Sequence, residues 1–213
     1  MNIQVSKDYY LSGKYNSLAR FISYFFQLDL IRRSKPQSIL FIGVGDALVS
    51  DYLKKQFGDK NVITLDIDPE LQPDLVGNIK SLPLTDQSFD TVVSFEVLEH
   101  LPFSQSERAL GELARVSRKY VIISVPHRRV GLEVIFKFPY IRSLLKKEFI
   151  RLTAFLPTRF HGFASSGQHY WEIDGRGTRL KDFRTALKKH FTIVSEHTPP
   201  LDCCQRFFVL KKI

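Results

Sequence analysis

Apolar and polar residues follow two patterns along the chain, and these predict strands and helices in turn. Short apolar runs are typical of buried strands, whereas apolar residues three and four positions apart are typical of amphipathic helices. The predicted strands cover about 38–42, 61–66, 74–76, 90–95, 119–125, 191–196 and 206–210. The predicted helices cover about 16–33, 46–57, 104–117 and 179–190. In the first helix the expected buried stripe is Leu18, Phe21, Ile22, Phe25 and Phe26.

This alternation predicts an α/β fold. Strands that alternate with helices indicate a mostly parallel sheet covered on both faces, so we expect a Rossmann-like, doubly wound sheet of seven strands. A short Pro-rich connection joins the last two strands and is too short for a parallel crossover. The last strand should therefore run antiparallel. At 213 residues the chain can bury a sizeable core, and we expect one domain over residues 1–213.

Two glycines and an acid predict a site for a nucleoside-bearing cofactor. Gly43 and Gly45 follow the first strand, and Asp66 ends the second. Glycines in such a turn let the backbone approach a ligand closely, and a carboxylate at the second strand end can accept bonds from two ribose hydroxyls. The spacing between the turn and the acid gives weight to a motif that is weak by itself.

Four segments, in matching order, resemble the class I S-adenosylmethionine-dependent methyltransferases. The resemblance covers roughly residues 38–126, and its segments are Ile39–Ala47, Thr64–Pro69, Gly77–Asp90 and Ser94–Pro102. It implies S-adenosylmethionine as the cofactor and transfer of its methyl group. The acceptor is not identified by the sequence, and we expect a small molecule or a lipid-linked compound.

The resemblance also implies which residues contact the cofactor. The two glycines of the turn would pass under its methionine part, and Asp66 would bind the ribose. Ile67 would lie against the adenine face, with Asn78 and Ile79 at the adenine edge. The full set of predicted cofactor-binding residues is Gly43, Gly45, Asp46, Asp66, Ile67, Asn78, Ile79 and Glu96.

Two residues depart from the family pattern. Phe41 stands where the first strand commonly ends in an acid that helps to hold the cofactor's ammonium group, and Ala47 replaces the third glycine. Asp46 or a nearby carbonyl would have to take over from the missing acid. A non-catalytic cofactor-binding or scaffold protein of the same fold is therefore an alternative.

Two histidines are candidates for the catalytic base. The methyl group of a sulfonium is strongly electrophilic, so the protein mainly has to align a nucleophile and exclude water. An oxygen nucleophile would need a base or a metal, whereas a neutral nitrogen needs neither. His100 and His127 follow strands that lead to the pocket, and each is alternatively a capping or packing histidine.

A possible metal site forms a second hypothesis about the chemistry. Glu96, Glu99 and His100, together with the later His169, are similar to the metal-binding set of small-RNA 2'-O-methyltransferases. Carboxylates and imidazoles can supply such a ligand shell. The same segment also resembles metal-free methyltransferases, so we expect no metal and keep metal-assisted RNA 2'-O-methylation as an alternative.

Two groups of aromatic residues have open roles. Tyr9, Tyr10 and Tyr15 precede the first helix and either cover the cofactor or belong to a solvated terminus. Tyr170 and Trp171 either shape the acceptor pocket or belong to the core.

The net charge of +9 is concentrated in one segment. Eight basic and two acidic residues lie in 128–160, within an insert at about 127–163 after the fifth strand. We predict an amphipathic helix over 139–152, whose apolar face would be Ile141, Leu144, Leu145, Phe149 and Leu152. Its basic side is either solvated, or contacts an anionic membrane, or holds nucleic acid. Nucleic acid is the less favoured partner because the segment is rich in phenylalanine and has no RNA-reading motif.

We expect neither a signal peptide nor a membrane span from the sequence. Its first residues have no apolar core typical of a signal peptide, and no apolar run reaches the length of a membrane span. The two cysteines, Cys203 and Cys204, are adjacent, which disfavours a mutual disulfide. We therefore expect a cytoplasmic protein.

Overall fold

Strands and helices alternate along the chain in the computed structural model. It describes residues 5, 7–12, 15–140, 142, 145–146, 148–155, 169–175, 177–202 and 204–213. The helices are α1 (Lys7–Leu11), α2 (Leu18–Arg33), α3 (Leu48–Phe57), α4 (Phe103–Val116) and α5 (Leu180–Lys188). The strands are β1 (Ile39–Ile42), β2 (Val62–Asp66), β3 (Leu75–Val76), β4 (Phe89–Phe95), β5 (Ser117–Pro126), β6 (Gly131–Phe136), β7 (Ile150–Phe155), β8 (Glu172–Ile173), β9 (Gly177–Thr178), β10 (Phe191–His197) and β11 (Gln205–Lys212).

Seven of these strands form one sheet, in the order β10-β11-β5-β4-β1-β2-β3. Neighbouring strands from β5 to β3 are parallel, and β11 is antiparallel to both β5 and β10. The predicted α/β class, the strand number and the antiparallel last strand are all confirmed. Because parallel strands end at the same edge, the carboxyl ends of β1, β2 and β4 meet there, where ligands bind in such sheets.

Helices cover both faces of the sheet, as the doubly wound prediction requires. Successive side chains of a strand point to opposite faces, so β1 contributes to two separate cores. Ile39 and Phe41 belong to the core shared with α2 and α3. Leu40 and Ile42 belong to the core shared with α4 and α5. Strands buried on both faces explain why their sequences are almost continuously apolar.

The predicted apolar stripe of α2 is wrong for three of its five residues. Leu18, Phe21 and Phe25 are exposed. The residues that α2 buries are Ser23, Tyr24, Gln27, Leu30 and Ile31. The buried face is therefore partly polar, which apolar spacing could not reveal.

Among the described residues, no helix, including the 16-residue α2, is both long and apolar enough to cross a bilayer.

The insert after β5 contains an antiparallel hairpin, and its second strand takes up the last three residues of the helix predicted over 139–152, whereas residues 142 and 145 of that prediction are helical. Strands β6 and β7 pair in register from Gly131 with Phe155 to Phe136 with Ile150. Residues 150–152, assigned to the helix from their spacing, are part of β7. Their apolar residues alternate with polar ones, and this period of two is satisfied by pairing with β6. Residues 141, 143–144 and 147 of the predicted helix lie outside the described residues.

Candidate active site

A tight glycine turn leaves β1 at the carboxyl edge of the sheet. Gly43 and Gly45 have φ angles of 89° and 59°, in the left-handed region that favours glycine. The Gly43 N–H donates to the Leu65 carbonyl at 2.9 Å, which holds the turn against β2. A Cβ at position 43 would lie 2.5 Å from Cγ2 of Val97. The turn therefore requires glycine at position 43 for both conformation and space.

Asp66 closes the other side of this turn. Its Oδ2 accepts a hydrogen bond from the Val44 N–H at 2.7 Å, and its Oδ1 accepts one from the Asp68 N–H at 2.9 Å. These bonds fix the carboxylate in one orientation. A carboxylate has about four lone-pair sites, so both oxygens can accept further bonds from a ligand. The arrangement fits the two hydroxyls of a ribose.

The two departures from the family pattern leave the turn in place. Phe41 is buried, lines the cleft and packs edge-on against Phe95, with ring centroids 5.9 Å apart. Ala47 has a φ of 62° immediately before α3, so it keeps the left-handed backbone that glycine would adopt more easily. Asp46 caps α3, since its Oδ1 accepts from the Leu48 N–H at 3.2 Å.

The turn, β2 and β4 border a cleft of about 290 Å³. Seven of the eight predicted cofactor-binding residues line it, namely Gly43, Gly45, Asp46, Asp66, Ile67, Ile79 and Glu96. Asn78 does not; its Oδ1 accepts from the Lys80 N–H at 3.0 Å within its own turn. The neighbouring Gly77 lines the cleft in its place. This segment therefore borders the cleft through Gly77 and Ile79, and the role of Asn78 at the adenine edge stays a prediction.

Residues before and within α2 form one side of the cleft. The tyrosines before the helix were candidates from the sequence, whereas Arg20 and Tyr24 were not. Tyr10, Tyr15, Arg20 and Tyr24 all line the cleft. The Arg20 guanidinium lies 4.4 Å from the centre of the Tyr15 ring, and the Tyr24 hydroxyl donates to Asp46 Oδ2 at 2.7 Å. Burial raises the pKa of the Tyr10 and Tyr15 hydroxyls, so both stay neutral. The tyrosines before α2 therefore cover the glycine turn instead of forming a solvated terminus.

Glu96 brings a partly buried acid to the end of β4. Its φ of 54° is a left-handed conformation that costs a non-glycine residue free energy and is often found at functional sites. Its N–H donates to the Ser124 carbonyl at 3.1 Å, and its Oε1 accepts from the Ser124 hydroxyl at 3.0 Å. Burial raises the pKa of Glu96, and the opposing charge of Arg20 is the largest influence that lowers it.

The fold also brings together residues that are far apart in sequence at one end of the cleft. Ligand-type atoms of Glu99, His100 and His169 lie within 4.8 Å of one another. Glu99 is fully buried, and neither of its carboxylate oxygens has a hydrogen-bond partner among the described residues. Burial and the neighbouring Glu96 raise the pKa of Glu99 well above its usual range. His100 and His169 line the cleft with ring centroids 5.2 Å apart.

His127, the other predicted base, is placed away from the cleft lining. It is 1% exposed, and its Nε2 lies 2.9 Å from Asp174 Oδ2 and 3.0 Å from Arg129 Nε. Burial lowers its pKa to about 4. Trp171 belongs to the core, where its Nε1 donates to the Leu101 carbonyl at 3.0 Å. Tyr170 is more than half exposed and lies outside the cleft lining.

Comparison with known proteins agrees with this arrangement. Residues 40–124 match the family model of the methyltransferase domain. The fold resembles a SAM-dependent methyltransferase from Aquifex aeolicus at 13% identity and a TM-score of 0.62, over 98% of this chain and 100% of the other. No curated protein has a matching sequence.

Two further structures of similar fold were solved with S-adenosylhomocysteine. Magnesium protoporphyrin IX methyltransferase from Synechocystis PCC 6803 is 13% identical, with a TM-score of 0.59 over 92% of this chain and 84% of the other. An N-methyltransferase from Bradyrhizobium japonicum WM9 is 11% identical, with a TM-score of 0.53 over 90% and 87%. These likenesses show that the chain has the Rossmann-like fold of these methyltransferases.

Proposed function

We propose that this protein binds S-adenosylmethionine in the cleft and transfers its methyl group to a small-molecule or lipid-linked acceptor. The observation that carries the proposal is the orientation of Asp66, which two backbone N–H groups fix beside the glycine turn. When bound, the cofactor supplies an electrophilic methyl group, so the protein's tasks are alignment and exclusion of water. A cytoplasmic location remains a prediction from the sequence.

Each part of the cofactor would face residues of matching chemistry in the cleft. Asp66 would accept the ribose hydroxyls, and Ile67 and Ile79 offer apolar contact to the adenine. The methionine end would meet charges of both signs. Arg20 lies in the cleft together with Asp46 and Glu96, so a cation and acids are available for a carboxylate and an ammonium.

The same charged residues could replace the acid that Phe41 lacks. The missing acid of the first strand would have faced the same part of the cleft, since Phe41 lines it. Asp46 is held there by the Tyr24 hydroxyl, on a turn whose backbone Ala47 preserves. Turnover is therefore compatible with both departures, which favours an enzyme over a scaffold protein that only binds the cofactor.

The acceptor would approach the end of the cleft that holds His100 and His169. An imidazole there can remove a proton from a hydroxyl group as it attacks, or from an ammonium group before its neutral nitrogen attacks. His169 Nδ1 lies 3.1 Å from Glu172 Oε1, a contact that orients the ring. His100 is accordingly the candidate base that remains beside the ligand space, with His169 as its neighbour.

Radiolabel transfer tests this proposal. The protein is incubated with methyl-labelled S-adenosylmethionine and, in separate reactions, with lipid, small-molecule, nucleic-acid and protein fractions of the source cells. We expect label in the lipid or the small-molecule fraction, and less of it with His100→Gln. Cofactor binding without transfer to any fraction, including nucleic acid and protein, would favour the scaffold alternative. A matched control is His190→Gln, which changes a histidine outside the cleft lining.

A second candidate function is metal-assisted O-methylation, the class that includes the RNA 2'-hydroxyl. It is favoured by the cluster of Glu99, His100 and His169, in which a buried carboxylate without hydrogen-bond partners among the described residues faces two imidazoles. Two histidines and a carboxylate suit a first-row divalent ion, and the Glu172 contact of His169 is typical of the outer shell of such sites. An ion there would supply Lewis acidity toward an acceptor hydroxyl.

Metal binding can be measured without knowing the acceptor. Titration with Mn²⁺, Co²⁺ or Zn²⁺ should give one site per chain that His169→Ala and Glu99→Gln both remove. An exposed acid elsewhere, Glu70, gives the matched control Glu70→Gln. Absence of a stoichiometric site, or turnover unchanged by chelators and by His169→Ala, would eliminate the metal and leave the metal-free proposal standing.

A further inference from the structure

The hairpin of β6 and β7 presents an apolar face to solvent. Alternate side chains of each strand share a face, and six apolar residues meet on this one, paired as Leu132 with Ala154, Val134 with Leu152, and Phe136 with Ile150. Leu132 and Leu152 are 68% and 59% exposed. An apolar surface of this kind on a two-stranded hairpin is unusual in water, where such hairpins are at best marginally stable.

The opposite face of the hairpin is mixed, with Ile135 and Phe155 beside polar residues, and its charged residues attach it to the rest of the chain. Glu133 and Arg151 form an ion pair across the strands at 2.5 Å. Arg151 also donates to the Thr198 carbonyl at 2.7 Å, and the Leu201 N–H donates to Glu133 Oε2 at 2.9 Å. Both contacts reach the connection between β10 and β11. The mixed face is thus anchored to the body of the protein, and the apolar face is directed outward.

Basic and aromatic residues continue this surface into the connection between β6 and β7. Phe138 and Tyr140 are 58% and 79% exposed, and the Phe138 ring stacks parallel to Phe136 at 6.5 Å. The same connection carries Lys137 and Lys146. Aromatic residues with one apolar and one polar end, next to lysines, are typical of surfaces that lie at the boundary of an anionic membrane.

We propose that the β6–β7 hairpin docks on the surface of an anionic membrane. Its six apolar side chains would enter the region below the headgroups, and Lys137 and Lys146 would lie among the lipid phosphates. None of those six side chains can donate a hydrogen bond, which argues against nucleic acid as the occupant of this face. A second copy of the chain is disfavoured because the basic connections of both copies would meet and repel each other.

Docking here would bring the membrane to the edge of the sheet that holds the cleft. β5 leads directly to the hairpin, and its partner β4 ends beside Glu96 at the same edge. A lipid-linked acceptor could then reach the cleft without leaving the membrane. Membrane binding itself does not depend on methyl transfer, so the two proposals can fail separately.

Sedimentation of the full chain with lipid vesicles tests the docking. We expect binding to vesicles of phosphatidylcholine mixed with phosphatidylglycerol. Binding to vesicles of phosphatidylcholine alone should be weaker by about tenfold or more. The double variants Leu132→Asp/Leu152→Asp and Lys137→Glu/Lys146→Glu should each reduce the anionic-vesicle partition by about tenfold or more. Val194→Asp is the matched control, since Val194 is an apolar strand residue 54% exposed on β10. Circular dichroism and thermal unfolding confirm that each variant is folded.

Three results would overturn the proposal. The first is no binding of the folded wild-type chain to anionic vesicles. The second is an equal loss of binding in Val194→Asp and the hairpin variants, which would remove the hairpin as the site. The third is a concentration-dependent dimer, seen by analytical ultracentrifugation, that Leu132→Asp/Leu152→Asp dissociates; a second copy would then be the occupant.

Discussion

Replacing Asp66 by Asn changes the charge of the predicted ribose-binding group while keeping its shape. In the wild-type chain, Oδ1 and Oδ2 each accept one backbone N–H, at 2.9 and 2.7 Å. The amide of Asn keeps one acceptor oxygen and turns a donor toward the other N–H group. The variant therefore weakens the turn slightly and removes the negative charge from both proposed ribose hydrogen bonds.

The magnitude follows from those two bonds. A hydrogen bond to a charged group contributes about 1.5–3 kcal/mol, compared with about 0.5–1.5 kcal/mol for a neutral pair. Loss of charge at two hydroxyls then costs roughly 2–3 kcal/mol of binding free energy. This corresponds to a dissociation constant raised roughly 30- to 150-fold. The free energy of unfolding of the unliganded protein should fall by about 1–2 kcal/mol, because one backbone N–H loses its acceptor.

Calorimetric titration with S-adenosylhomocysteine measures the dissociation constant, and urea unfolding measures stability. Asp74→Asn is the matched control. Asp74 accepts from the Thr64 N–H and hydroxyl at 2.8 and 2.7 Å and pairs with Lys54, yet it lies outside the cleft lining. The control should lose stability and keep its affinity. A less than about threefold change in affinity for Asp66→Asn, or equal changes in both variants, would refute the ribose assignment.

Three further predictions concern stability. Gly43→Ala should lower the free energy of unfolding by roughly 2–3 kcal/mol and weaken cofactor binding, because its Cβ meets Val97 at a positive φ; unchanged urea unfolding would contradict this. Ala47→Gly should raise that free energy by about 0.5–1 kcal/mol, as relief of the left-handed strain exceeds the added entropy of the unfolded chain; a loss of stability would disprove the strain. Burial lowers the pKa of His127 to about 4, beside Asp174 and Arg129, so its stabilising contribution is complete above pH 6.5 and declines as the pH falls toward 4. Wild type should lose roughly 2 kcal/mol more than His127→Gln between pH 7 and pH 5 in urea titrations, and equal losses would refute the buried neutral imidazole.

The sheet and the position of Asp66 beside the glycine turn were predictable because local patterns determine them. Two glycines after a buried strand and an acid at the end of the next strand define geometry within a short stretch of sequence. Backbone contacts such as Gly43 with Leu65 follow directly from the parallel pairing of β1 and β2. The position of Asp66 in the cleft therefore follows from the sequence, and its contact with the ribose stays a prediction.

The residues of α2 that line the cleft, Arg20 and Tyr24, were not predicted because burial on this helix does not follow hydrophobicity. Leu18, Phe21 and Phe25 have the spacing of a buried stripe but are exposed, while Tyr24 is buried and donates to Asp46. Polar side chains face inward on this helix because it borders a cleft that needs hydrogen-bonding groups. No periodicity of apolar residues reports such a face.

The hairpin was missed for a different reason. Residues 139–152 contain apolar residues at helical spacing, so the predicted helix runs into 150–152, where apolar and polar residues alternate as in a strand. The pairing partner of that strand, 131–136, lies well before it in sequence. A contact between residues distant in sequence therefore determines that 150–155 form a strand. His169 illustrates the same limit, because only the fold brings it beside Glu99.

The central claim is that this cleft is a site for S-adenosylmethionine. Calorimetric titration of the wild-type chain with S-adenosylmethionine, and separately with NAD, tests it most directly. We expect one S-adenosylmethionine site per chain and no heat from NAD beyond dilution. Saturable binding of NAD, with no binding of S-adenosylmethionine at millimolar concentration, would contradict it.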